Sequence, residues 1–161
     1  MAFSENTEKK VTVIKKMSKT ASPYVIAYLA GFFDGEGSIM ANHQASKNHR
    51  DRLYITVKIG NTDIRPLQLF TKYFGCKIQK AVNGRKKPFY FFNIGEAKSR
   101  VILEKFFPYL IVKHKQAELA LEFYREKLNI GNPNNFKNSQ KLKDIRDQII
   151  KLNNRSHLLN S

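Results

Sequence analysis

The segment "SPYVIAYLAGFFDGEGS", Ser22 to Ser38, limits the fold more than any other stretch of the chain. Ser22-Pro23 reads as a helix start, with serine as the cap and proline at the first helical position, where its missing N–H costs nothing. The helix should run through Phe33 until the Gly35 and Gly37 pair stops it. On a helical grid Ala27, Gly31 and Gly35 stack at i, i+4 and i+8, with Ala30 and Asp34 beside them, making a narrow strip that another backbone can approach. Glycine in a helix costs about 1 kcal/mol relative to alanine, so Gly31 needs an offsetting reason. Close packing against a second helix is one such reason, and tight packing inside the same subunit would serve equally well. Ile26, Leu29, Phe32 and Phe33 are assigned to the core of their own subunit.

Two acids, Asp34 and Glu36, arrive where this helix ends, which is the unfavourable end for an anion. The local electrostatics therefore ask for a cation. A hard divalent ion bound by carboxylate, backbone carbonyl and water satisfies that demand and can also bridge to phosphate oxygens. The alternative is that Asp34 hydrogen-bonds backbone amides and Glu36 is a solvated turn residue. Elsewhere the balance is reversed: 29 Lys+Arg against 13 Asp+Glu give a formal charge of +16, which favours polyanionic partners, either nucleic acid or an acidic membrane surface.

A chain of 161 residues closes one core but is short for two domains. Residues 1–21 are polar without a sustained period and read as a tail, followed by a single domain over 22–161 with a core at 22–128 and a loop and helix at 129–161. No apolar run approaches the ~20 residues of a membrane span, and the first residues lack the apolar core of a secretory signal, so a soluble intracellular protein is expected. The lone Cys76 cannot form an intramolecular disulfide and reads as a small buried apolar side chain. The four histidines show no zinc-ligand spacing.

Beyond the first helix, "SIMANHQA" and "RLYITVKI" read as strands around a polar turn at Ser46 to Asp51. The second alternates cleanly, with Leu53, Ile55, Val57 and Ile59 on one face and Arg52, Tyr54, Thr56 and Lys58 on the other. A short helix over "TDIRPLQLFTKYFG" is capped by Thr62 or Asp63. "CKIQKAV" and "KPFYFFNI" form a second hairpin around Asn83-Gly84, with Arg85, Lys86 and Lys87 at its tip. Helix "EAKSRVILEKFF" ends at Pro108, and another opens near Lys113. "NIGNPNNFKN" reads as a loop, and the last segment as an amphipathic helix with Leu142, Ile145, Ile149 and Leu152 on one stripe, packing on the core or on a partner subunit.

"LAGFFDGEG", Leu29 to Gly37, resembles the LAGLIDADG motif of homing endonucleases, and the order of elements resembles that family's αββαββα core, an α+β fold with a saddle-shaped antiparallel sheet on DNA. The resemblance covers about Ser22 to Leu128. It implies that Glu36 is the metal-binding acid, with the Gly35 carbonyl as companion ligand, and that Asp34 is chiefly structural. "IGNTDIR" resembles the segment that places a water-positioning glutamine, here Asn61, and a basic residue of the active-site rim, here Arg65. For Asn61 the plain alternative is a residue that starts the following helix. "PYLIVKHKQAE" resembles the segment that delivers an active-site lysine, here Lys113, while Lys115 reads as a phosphate contact or a solvated charge.

Single-motif members of that family are homodimers, so the resemblance implies two first helices packed through Ala27, Ala30, Gly31, Asp34 and Gly35. It further implies cleavage of one phosphodiester in each strand of duplex DNA, leaving short 3′ overhangs, by metal-activated water, with Mg2+ as cofactor and Mn2+ as a substitute. No small-molecule substrate is expected. The wet strand faces would lie in the major groove: Asn42 and Gln44, then Arg52, Tyr54, Thr56 and Lys58, then Lys77 and Gln79, and Tyr90 and Phe92. Lys86 and Lys87 would hold phosphates. Dimer symmetry predicts a palindromic or pseudo-palindromic target.

The rival reading is a DNA- or RNA-binding protein on the same fold without nuclease activity, an intron maturase or a regulator. A pure binder needs neither an acid at 36 nor a lysine at 113. A basic membrane-surface protein is the third reading, opposed by cations that lie on strand faces and not along one amphipathic helix.

Overall fold

The computed structural model describes residues 21–45, 52–81 and 87–158. Residues 1–20 of the expected tail, the turn at 46–51 and the hairpin tip with Arg85 and Lys86 lie outside the described residues. The elements are α1 (Pro23–Glu36), β1 (Gly37–Gln44), β2 (Arg52–Asn61), α2 (Ile64–Phe74), β3 (Gln79–Ala81), β4 (Phe89–Ile94), α3 (Glu96–Phe106), a 3-10 turn Phe107–Tyr109, α4 (His114–Ile130), a second 3-10 stretch Pro133–Asn138 and α5 (Gln140–Leu158). The strands form one antiparallel sheet in the order β1-β2-β4-β3. No described helix is long and apolar enough to cross a membrane.

Ser22 caps α1 by accepting the Val25 amide, and Pro23 follows at the first position, as the sequence predicts. The helix runs to Glu36, three residues beyond Phe33, and passes straight into β1. Gly35 does not stop it, because glycine permits helical geometry as readily as any other. The break comes at Gly37, whose extended backbone donates to the Phe33 carbonyl. A Cβ at Gly37 would lie 2.0 Å from the Phe33 ring and 2.7 Å from its carbonyl oxygen, so only glycine fits where the chain turns over Phe33. Asp63 caps α2 through the Arg65 amide, and Gly75 ends it in the left-handed conformation, φ 61°, that glycine adopts without penalty.

One face of the sheet carries Ile39, Leu53, Ile55, Val57, Ile59, Phe92 and Ile94, all buried against the helices. Phe70 of α2 sits among the rings of Phe32, Phe74, Phe92 and Phe106, with centroids 5.5 to 6.3 Å away. Fully burying each such ring contributes about 1.5–3 kcal/mol. Leu142, Ile145 and Ile149 of α5 join the same cluster, and Asn153 donates to the Ile39 carbonyl, so the last helix braces this core. Ser99 ties the layers: its hydroxyl accepts the Val57 amide at 3.0 Å and donates to the Ile94 carbonyl at 2.7 Å, satisfying strand groups that would otherwise be buried unpaired.

Two expectations change. The third strand holds only Gln79–Ala81, because Cys76 turns into the core and takes that stretch out of the sheet. Burial pushes the Cys76 thiol up to about 11. The segment expected as a loop after α4 contains the 3-10 stretch Pro133–Asn138, anchored where the Phe136 ring packs on the core and faces the Lys127 ammonium at 4.7 Å.

Candidate active site and nucleic-acid interface

The end of α1 meets the start of α4 through Asp34. Its carboxylate, on a residue 8% exposed, accepts the amides of Ile111 and Val112 at 2.9 Å and of Lys113 at 2.8 Å. Burial works against its charge, but these amide bonds, with help from the Lys113 ammonium, prevail and hold the carboxyl below its ordinary value. The Lys113 ammonium donates in turn to the Asp34 carbonyl. It therefore supplies the cation that a helix C-terminus favours. Burial lowers the Lys113 pKa, and the negative charges of Asp34 and Glu36 offset this only partly. Two adjoining side chains, Ile111 (86% exposed) and Val112 (72%), are turned outward by the same clamp.

Glu36 is the opposite case. It is exposed and makes no hydrogen bond or ion pair with the described residues. The Gly35 carbonyl is among the last four of α1, which no helical amide satisfies. One carboxylate and one carbonyl suit a hard cation, although no group of three or more His, Cys, Asp or Glu able to hold a metal occurs among the described residues. These two oxygen donors are of the kind that Mg2+ takes, the rest of its octahedral set being left to water, phosphate or other oxygens.

Asn61 and Arg65 are engaged locally. The Asn61 Oδ1 accepts the Asp63 amide at 2.8 Å, which is the helix-starting role. The Arg65 guanidinium chelates Asp63 through Nε at 2.9 and 3.0 Å, and its hydrogen bond to that carboxyl holds Asp63 at about 2. Asn61 ends β2 and Arg65 lies in the first turn of α2, and neither touches Glu36 or Lys113 through a hydrogen bond among the described residues. Lys115 is exposed and paired with Glu118 at 2.6 Å.

The exposed strip of α1 is narrower than the helical grid suggests. Ala30 is wholly buried and Asp34 nearly so, both inside this chain, because the helix turns that side toward α3 and the 110–113 bend. Ala27 is half-buried, and Tyr24, Tyr28, Gly31 and Gly35 are exposed. No described residue lies within 4 Å of a Cβ built on Gly31 or Gly35, so packing among the described residues does not account for Gly31.

The other face of the sheet follows the register. Asn42 lies opposite Tyr54, Gln44 opposite Arg52, and Lys58 opposite Asn93. Asn42 donates to Thr56 Oγ1 at 3.1 Å, and Arg52 lies over the Tyr54 ring while pairing with Glu96 at 3.3 Å. Gln79 lies opposite Phe91 and shares this face; Lys77 and Lys87 are exposed outside the strands. The β4 assignment is corrected: Tyr90 and Phe92 turn to the core, Phe92 at 1% exposure, and Phe89, Phe91 and Asn93 occupy the wet face. Pairing of Lys58 with Asn93 fixes this parity. Asn93 was the available signal, since it is the one polar residue in an otherwise two-faced apolar run.

Residues 29–126 match the family model described as LAGLIDADG endonuclease. This chain belongs to the LAGLIDADG endonuclease family. The DNA-bound homing endonuclease I-CvuI is similar at 26% identity and a TM-score of 0.63, covering 79% of this chain and 80% of that one. The archaeal intron-encoded homing endonuclease I-Vdi141I, complexed with DNA, matches at 19% identity and TM-score 0.62 over 80% of this chain and 84% of that one. The meganuclease I-SmaMI, bound to uncleaveable DNA, matches at 17% and 0.60, over 76% of this chain and 43% of that one. The last two show the fold alone. No curated protein matches the chain in sequence. In this LAGLIDADG chain the motif, Leu29 to Gly37, is the second half of α1 together with Gly37, the residue at which the helix turns into β1.

Proposed function

We propose that this LAGLIDADG protein is a homing endonuclease that acts as a homodimer and hydrolyses both strands of a long pseudo-palindromic DNA site with Mg2+. The observation that carries the reading is the arrangement at the end of α1: the Glu36 carboxylate is left unbonded while Lys113 is clamped beside it by Asp34. A pure binder has no use for an unpaired acid next to a lysine on a protein that must attract phosphate. When bound, the divalent ion supplies an activated water and charge neutralisation at the scissile phosphate. Glu36 and the Gly35 carbonyl would hold it, and Lys113 would stabilise charge on the phosphate. Arg65 and Asn61 serve the rim of the site only if DNA draws them from Asp63.

Two observations support the homodimer. Gly31 and Gly35 leave open space on α1 that a second helix can fill, and Ile111 and Val112 expose apolar side chains beside it. The share of I-SmaMI covered, 43%, also fits a single unit whose counterpart comes from a second copy. The wet face of the sheet supplies hydrogen-bonding and cationic side chains for the major groove.

The test is cleavage selection on a randomised duplex library in Mg2+, with wild type beside Glu36→Gln. Enrichment of a long pseudo-palindrome cut on both strands by wild type, and bound but uncut by the variant, is the expected result. Binding of a defined site by both proteins with no cutting in Mg2+ or Mn2+ would reduce the protein to a recognition module.

A further inference from the structure

The wet face of the sheet contains one patch that its polar surroundings do not explain. Phe89 and Phe91 stack at 6.3 Å and 20° on that face. Neither belongs to the core cluster or packs against it. The core side of β4 is already filled by Phe92 and Tyr90, so these two rings are not needed there. Gly60 makes room for them: a Cβ on it would lie 2.5 Å from the Phe89 ring and 3.1 Å from the Phe91 Cβ. The third neighbour, Ala81, lies opposite Phe89 and is also apolar. Among the described residues, polar side chains stand at the margin, with Gln79 opposite Phe91 and the Lys58 ammonium 5.9 Å from the Phe91 ring.

The two phenyl rings carry no hydrogen-bond donor or acceptor, so they cannot themselves read base edges by hydrogen bonds. In the major groove the one apolar feature that distinguishes a base is the thymine C5-methyl. We propose that Phe89 and Phe91 are specificity-determining residues that select thymine methyls in each half of the DNA target. This rests on the DNA-cleaving reading above and names the chemistry of one part of its recognition face. The ring spacing matches about two base steps at ~3.4 Å each, so the two methyls fall within a window of three successive base pairs. Lys58, beside the rings, would meet the adjoining guanine or phosphate.

The experiment replaces thymidine with deoxyuridine, one position at a time, in the site recovered by selection, and measures binding in EDTA. Only a methyl is removed. Wild type should lose about fourfold in affinity at each of two positions within one three-base-pair window of each half-site, the value of one buried methyl, and be indifferent at thymines elsewhere. Phe91→Ser should abolish the sensitivity at one of the two positions. A site that is selected and cut, yet tolerates deoxyuridine everywhere, overturns the proposal and leaves the endonuclease reading standing. Sensitivity that persists unchanged in both Phe89→Ser and Phe91→Ser also overturns it. Failure to select any site removes both.

Discussion

Asp34 and Lys113 are bonded twice, Lys113 donating each time: the carboxylate accepts the Lys113 amide at 2.8 Å, and the Asp34 carbonyl accepts the Lys113 ammonium. Each residue fixes the other. The acid at the end of α1 orders the start of α4, and the lysine at the start of α4 satisfies the end of α1.

Asp34→Asn keeps the size of the side chain but replaces one acceptor oxygen with a donor that faces amide donors. Stability should fall by about 2–3 kcal/mol in urea unfolding. A loss within ~0.5 kcal/mol, the range of an ordinary surface change, would mean that the clamp carries no stability.

The same carboxyl sets an acid limit. Its pKa in the fold is lowered, so its contribution is full above the ordinary carboxylate value and is lost as pH falls through the depressed one. The stability gap between wild type and Asp34→Asn should therefore hold from neutrality down to pH ~4 and close below it. A gap that stays constant to pH ~2 would remove the charge from the explanation.

Lys113 titrates below its ordinary value because burial outweighs its acidic neighbours. Removing one of those acids should lower it further. NMR titration of the lysine ε-methylene signals should show the Lys113 transition at lower pH in Glu36→Gln than in wild type, and an unchanged transition would separate the two side chains. For a LAGLIDADG enzyme working at this site, the alkaline limb of activity should lie below the ordinary lysine range.

Gly31 and Gly37 predict opposite responses to alanine. At Gly31 there is open space, and alanine improves a helix by about 1 kcal/mol, so the isolated subunit should be more stable while self-association weakens. At Gly37 the new Cβ strikes Phe33, and stability should fall by about 1–3 kcal/mol or more. Denaturation at low protein concentration, paired with sedimentation equilibrium, reads both. A stability loss at Gly31 under dilute conditions would show that the space is not open.

Ser99→Ala leaves the Val57 amide and Ile94 carbonyl without their partner in the core. The expected cost is about 1–3 kcal/mol, with faster hydrogen exchange at Val57. Normal exchange at Val57 would show that water replaces the hydroxyl.

Local signals made much of the fold readable. Ser22-Pro23, the alternation from Leu53 to Ile59, and the Asp63 cap each have a mechanism within a few residues, and each lies where it was expected. What was hidden depends on partners far away in sequence. "FYFF" is apolar in both phases, so only pairing with β2 decides that Phe92 is core and Phe91 is not. Ala30 and Asp34 fit an exposed strip on a helical grid until the 110–113 bend, almost eighty residues on, covers Asp34. Ser99 looks like any helical serine, and its two strand partners cannot be inferred from its neighbours.

The sheet face turned away from the helices has an evolutionary consequence. Gln44, Tyr54, Lys58 and Phe91 lie outside the core that holds the protein together, so most changes there need no repacking. If this surface carries the DNA address, as proposed, that address can be revised while the scaffold beneath is inherited intact. Coupled revisions are expected where neighbours lean on each other, as at Asn42 with Thr56, at Arg52 with Tyr54, and at Phe89 with Phe91 over Gly60. On the proposed reading, drift to a new DNA site should therefore proceed one residue at a time where side chains stand alone and in pairs at such places.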